Sequence, residues 1–240
     1  MLVAALVAVP LLCFAWIVPM ARDMYGAMTG PSAWMMTPVW DARHTVLLAA
    51  MWMVMMIGMM IPSASPTLLM YAAVVRRAEG PRATLRVYAV AAGYVVVWSA
   101  FAVSATLLQR ALSVTVLSPM MTIVSPWAAA AVLAIAAVYQ LTPLKAACLE
   151  SCRSPVDFIT THMQPGVAGA FRLGLDHGVF CVGCCWALML LLFAGGVMNL
   201  WTIAVLTAFV LFEKLAPFAD RTRQVSAASL LAAAMWMIMR

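Results

Sequence analysis

Residues 177 to 185 read His-Gly-Val-Phe-Cys-Val-Gly-Cys-Cys and open an apolar run of membrane-spanning length. On an α-helix His177, Cys181, Cys184 and Cys185 fall within roughly a quarter to a third of the circumference, because offsets of 4, 7 and 8 residues all return close to the start. One helix face therefore carries an imidazole and three sulfurs, a soft-metal or redox constellation. Cys148 and Cys152 form a second pair at i, i+4, with side chains about 6 Å apart and within reach of one ion. Their neighbours Lys145, Glu150, Ser151 and Arg153 mark a surface setting, and the two cations favour thiolates. Thiolates select copper(I), zinc or iron–sulfur clusters over calcium or magnesium. A c-type haem is excluded, since Cys185 stands where histidine would be required. The competing structural reading takes the cysteines as small apolar residues that, beside Gly178 and Gly183, permit close helix packing.

Sulfur of a second kind lies upstream. Met51, Met55 and Met59 form one i, i+4 stripe and Met56 with Met60 another, a thioether ladder that could pass copper(I) without a proton cost. With 21 methionines in the chain, the same stripes also read as ordinary core filler. Glu213 and Lys214 end an apolar run, where a positioned glutamate could accept a proton, complete a cation site or simply form an interfacial ion pair. Asp41 and His44 are a weak candidate for outer metal capture. Asp176 cannot share the helix face of His177 but could orient it from behind.

The elements that must position these groups are transmembrane helices. The 240 residues are 66% hydrophobic and only 9% charged, with a mean hydropathy of +1.03, far from a soluble domain in which about a quarter of residues are charged. The net charge of +6 sits in short loops between apolar runs, so it sets orientation and calls for no nucleic acid. The fold class is all-α, a polytopic bundle of about seven spans (six to seven): 2–20, 44–62, 85–108, 121–141, 178–198, 200–216 and 224–239, the last short enough to stop at the interface. Pro62-Ser63-Ala64-Ser65-Pro66 is expected to kink or break the second helix. Ten of the 14 basic residues fall in alternate loops and four opposite them, which places the N-terminus in the cytoplasm and the C-terminus outside a cell (inner) membrane. Residues 21–43, with Trp34, Met35, Met36 and Trp40, become an outer loop along the interface. Residues 142–177 become a cytoplasmic loop, with a short helix at 144–152, carrying half of the cysteine cluster. The whole chain, 1–240, reads as a single membrane domain without internal repeats.

These residues together resemble a bacterial family of predicted metal-binding integral membrane proteins. The resemblance rests on the methionine-rich span ending Met-Met-Ile-Pro-Ser-Ala-Ser-Pro and on Leu144-Lys145-x2-Cys148-x3-Cys152-Arg153-Ser154-Pro155. It also rests on His177-Gly-x2-Cys181-x-Gly-Cys-Cys-Trp, on Gly196-Val-Met-Asn-Leu and on Glu213-Lys214-x2-Pro217. It implies a multi-span bundle with a metal site and no particular substrate. Asp176 departs from the neutral or basic residue expected before His177.

The leading expectation is a membrane protein that handles a transition metal, copper(I) favoured and zinc second. Cys148, Cys152, His177, Cys181, Cys184 and Cys185 supply ligands near the inner face, Met51, Met55 and Met59 a path, and Glu213 support. One copper(I) takes only two to four sulfurs, so some of these must stand behind the others or serve a second ion. A thiol–disulfide redox protein using Cys181 and Cys184 beside a quinone is the second reading, opposed by a reducing cytoplasm. A structural subunit with packing cysteines is the third. The balance leans away from an enzyme. The expected partners are the lipid bilayer, a metal ion, and a protein partner or second copy.

Overall fold

The computed structural model describes residues 2–26, 40–80, 83–113, 116–118, 121–216 and 218–239. Trp34, Met35, Met36 and Pro217, named above, lie outside the described residues, as do Arg82 and Arg240, two of the 14 basic residues counted for orientation. Among those residues the secondary structure is helical apart from an isolated bridge between Leu117 and Ile123.

Helix α1 spans Leu2–Met24 and α2 spans Ala42–Glu79. Asp41 caps α2 by accepting the His44 backbone N–H at 2.7 Å, which gives this candidate for outer metal capture a structural task. Gly80, at φ +59°, ends the helix in a conformation that suits glycine. The expected break at Pro62 and Pro66 does not occur: both lie inside the one 38-residue helix. The intervening serines stay compatible with it because their hydroxyls donate to carbonyls of the preceding turn, Ser63 to Met60 at 2.8 Å and Ser65 to Ile61 at 3.0 Å. At 1.5 Å per residue this helix is about 57 Å long, well beyond the ~30 Å of a hydrocarbon core.

Helix α3 follows at Ala83–Ser113. Then α4 (Pro126–Gln140) and α5 (Pro143–Arg153) meet at 67°, each opened by a capping hydroxyl, Ser125 or Thr142, with proline next to it. A short α6 (Pro155–His162) leads to α7 (Gly166–Met189), its continuation α8 (Leu191–Gly195), α9 (Leu200–Leu215) and α10 (Ala219–Met239). Four helical stretches among the described residues are long and apolar enough to cross a membrane: α1, α2, α3 and α7 with α8. The bent α4–α5 pair makes a fifth if it counts as one span. Of the seven apolar runs in the sequence, the sixth makes a helix of 16 residues, about 24 Å and short of the hydrocarbon thickness. The seventh opens on Asp220, Arg221 and Arg223.

The segment expected to be a cytoplasmic loop is largely helical, because α7 begins at Gly166 and not at residue 178. That early start is what brings His177 and the cysteines into the middle of a long helix. Helix α7 packs on α3 through glycine: a Cβ on Gly174 would collide with the Val90 carbonyl, and one on Gly93 with the backbone of residues 171–175. Helix α5 lies against the other side of α7, and α2 packs between α1 and α3.

Candidate metal centre

Helix α7 turns Cys181, Cys184 and Cys185 inward, all at most 1% exposed. Across from them α5 presents Cys152, and the sulfurs of Cys152, Cys181 and Cys184 all lie within 4.8 Å of one another. Two sulfurs on one ion at about 2.3 Å each would be separated by no more than about 4.6 Å, so the three need little movement to share one. The i, i+3 spacing of Cys181 and Cys184 supplies two sulfurs from one helix turn, and the third crosses a helix interface. In the metal-free geometry Cys184 and Cys185 donate their S–H groups to the Cys181 carbonyl at 3.1 and 2.9 Å.

A buried cation faces this cluster. Lys214 Nζ, on α9, donates to Cys181 Sγ at 3.0 Å and to Ser63 Oγ at 3.0 Å. Tyr94 Oη, on α3, lies 3.0 Å from the same sulfur and donates to the Met60 carbonyl at 3.1 Å. Cys181 is thus the point where α2, α3, α5, α7 and α9 converge. An ammonium out of water needs an anion or a dense set of acceptors, and here the Cys181 sulfur and the Ser63 hydroxyl are its partners.

Glu213 and Lys214 do not pair with each other. Successive residues on a helix point about 100° apart, and here Glu213 turns to Lys145 of α5, Nζ to Oε2 2.7 Å, with both side chains 1% exposed. Lys145 and Lys214 therefore have separate counter-groups, a carboxylate and a sulfur.

The remaining predicted ligands surround the trio at different distances. Cys148 is half-buried one turn before Cys152, beside Gly183, where a Cβ would come within 2.7 Å of its sulfur. Cys185 is enclosed but stands outside the group of three. His177 is 2% exposed, and neither ring nitrogen has a hydrogen-bond partner among the described residues. Its ring packs between Tyr94 (centroids 5.5 Å apart) and Phe158 (5.2 Å). Asp176 makes no hydrogen bond to it. Met51, Met55, Met56, Met59 and Met60 are all enclosed in the core. Cys13 packs its Cβ against Gly58, far in sequence from the other five.

Sequence reasoning missed Lys214, Tyr94 and Ser63 as parts of the centre. A Glu-Lys neighbour pair inside apolar surroundings carried the signal for the first, since one helix cannot turn both toward a shared partner.

A family model described as PpoB2, copper chaperone, matches residues 49–237, more than three-quarters of the chain. The chain belongs to this copper chaperone family. The matched stretch contains every residue of the sulfur centre and the methionine helix from Met51 onward. A search of curated proteins and a search of solved structures each return no match. For a copper chaperone the donor set is chemically apt: three sulfurs and no oxygen, the soft environment that prefers copper(I) to calcium or magnesium. Family and cluster together support metal binding, and copper is the metal that the family description names.

Proposed function

We propose that the protein is an integral membrane copper chaperone that holds copper(I) between Cys152, Cys181 and Cys184 near the cytoplasmic face. The observation that carries this reading is the buried trio of sulfurs drawn from two helices, with an ammonium at hydrogen-bond distance from the central one. With two of the three sulfurs as thiolates and the third as a neutral thiol, one copper(I) leaves a single negative charge, which Lys214 offsets. Three thiolates around zinc give the same balance, so copper is favoured by the family and by the methionines and zinc stays second.

The surface supports a bilayer around the bundle. Apolar side chains point outward along the long helices, Leu12 at 69% and Val46 at 67% exposure among them, and such apolar cover is atypical of a protein surrounded by water. We keep seven crossings, with α9 and α10 as the last two, because over that arrangement the basic residues favour an N-terminus inside the cell and a C-terminus outside, with residues 1–240 as one membrane domain. His177, Cys148 and Cys185 flank the trio as ligands that take over as copper moves, Glu213 holds Lys145 beside it, and Met51, Met55 and Met59 line a thioether route along α2. Every step of this cycle is an exchange of metal ligands, so the protein is read as a carrier and the balance leans away from an enzyme.

The deciding experiment is elemental analysis and anaerobic copper(I) titration of the purified protein, repeated on the Cys181→Ser/Cys184→Ser double variant. One tightly held copper(I) per chain, lost in the double variant, is the expected result. A native protein that takes up neither copper(I) nor zinc would overturn the reading.

A further inference from the structure

The sulfur trio is sealed: Cys152 is 6% exposed, Cys181 not at all and Cys184 1%. Copper(I) is not free in a cell that contains thiols, so it must arrive on a carrier and be passed by ligand exchange. A port has to exist next to the trio, and its lining should suit that carrier.

A cavity of about 620 Å³ opens between α5, the end of α9 and the start of α10. Its walls include Lys214, which donates to Cys181 Sγ and to Ser63 Oγ, each at 3.0 Å, and Leu149, one turn before Cys152 on α5. The cavity thus reaches the back of the sulfur centre through a single side chain. It is also charged, lined by Arg153, Lys214, Arg221 and Arg223 against Glu150 and Asp220. Two of these cations are committed to the fold, Arg153 to the Ala216 carbonyl and Arg223 to the carbonyls of Gln140 and Thr142 and to Asp220. Arg221 is exposed at the mouth, its guanidinium 5.7 Å from the centre of the Phe218 ring. The volume suits a small molecule more than a docking protein domain.

Resting on the cysteine-site reading above, we propose that this cavity is the loading port of the copper site and that its ligand is a small anionic thiol carrying copper(I), such as a cysteine-containing peptide with free carboxylates. The basic wall binds the carboxylates, Arg221 first. Lys214 then leaves Cys181 for the anionic carrier, exposing the sulfur to the incoming metal. A copper–sulfur bond to Cys181 forms as the bond to the carrier breaks, and Cys152 and Cys184 complete the ligand set. Copper stays copper(I), no electron moves, and protons released from cysteine thiols are taken up by the departing carrier thiolates.

The test measures the rate at which the full chain, in lipid nanodiscs, takes copper(I) from its complex with glutathione, an anionic carrier, and from its complex with dithiothreitol, an uncharged one. Arg221→Glu should lower the glutathione-to-dithiothreitol rate ratio roughly tenfold, a typical scale for electrostatic steering. Arg221→Lys should restore most of the ratio, Glu150→Lys should raise it, and added salt should reduce the wild-type preference. An unchanged ratio in both Arg221→Glu and Glu150→Lys would overturn the port while leaving the cysteine site intact. Loading from neither carrier would overturn the cysteine site itself, and the port with it.

Discussion

The two sulfur-rich regions of this molecule solve burial in opposite ways. Along α2, the side chains of Met51, Met55, Met56, Met59 and Met60 are enclosed in the core, because a thioether is neutral and loses little on leaving water. Around Cys181, by contrast, burial brings in Lys214, Tyr94 and Ser63, and a second buried ion pair, Lys145–Glu213, stands close by. A thiolate carries charge and has to be matched, whereas a methionine can be repeated along a helix at no electrostatic cost. The lesson is one of division: a site that grips an ion needs counter-charges fixed by tertiary structure, and a stretch that only tolerates an ion can be written into one helix.

The comparison breaks most readily at Lys145 and Glu213. Lys145→Met leaves the Glu213 carboxylate enclosed and unmatched, and breaking a buried pair by removing one partner costs about 3–5 kcal/mol. Denaturant-monitored unfolding in detergent should show that loss, while Lys145→Met combined with Glu213→Leu should recover much of it. Equal losses in the single and double variants would mean that the pair is not coupled as the geometry implies. Next in size is the sulfur trio. Cys152→Ser removes the cross-helix ligand and should weaken copper(I) binding, read by competition with a chromophoric chelator, by at least about 100-fold, or about 2.7 kcal/mol. Its fold is expected to hold, since serine is nearly isosteric. Cys13→Ser, at the α1–α2 contact, should leave that affinity unchanged.

Much of this was legible from residue types. The i, i+4 and i, i+3 spacings of the cysteines placed Cys152, Cys181 and Cys184 on usable faces, and apolar run lengths pointed to helices, four stretches of which, among the described residues, are long and apolar enough to cross a membrane. The continuity of α2 through Pro62 and Pro66 was not, because proline alone argues for a break, whereas the helix is held by packing against α1 and α3 that local sequence does not encode. Nor was the exchange of partners between Glu213 and Lys214. Local reading pairs neighbours in sequence, while the structure sends one to Lys145 and the other to Cys181, a choice made by the packing of α9 against α5 and α7. The separation of Cys185 from the trio likewise depends on where α5 crosses α7, which spacing on a single helix does not encode.

The methionine helix gives the smallest and sharpest test. Leucine has nearly the volume of methionine and no sulfur, and such swaps in a core generally cost less than about 1.5 kcal/mol. If α2 only tolerates copper, Met55→Leu/Met59→Leu should leave both the unfolding midpoint and the equilibrium affinity of the cysteine site almost unchanged, because neither thioether belongs to the trio. The expected change is kinetic: copper loaded at the cysteines should appear more slowly on an acceptor chelator confined to the opposite side of a proteoliposome membrane, by roughly tenfold for about 1.4 kcal/mol of added barrier. A large fall in affinity would instead make the methionines part of the grip, and an unchanged rate would reduce them to core packing.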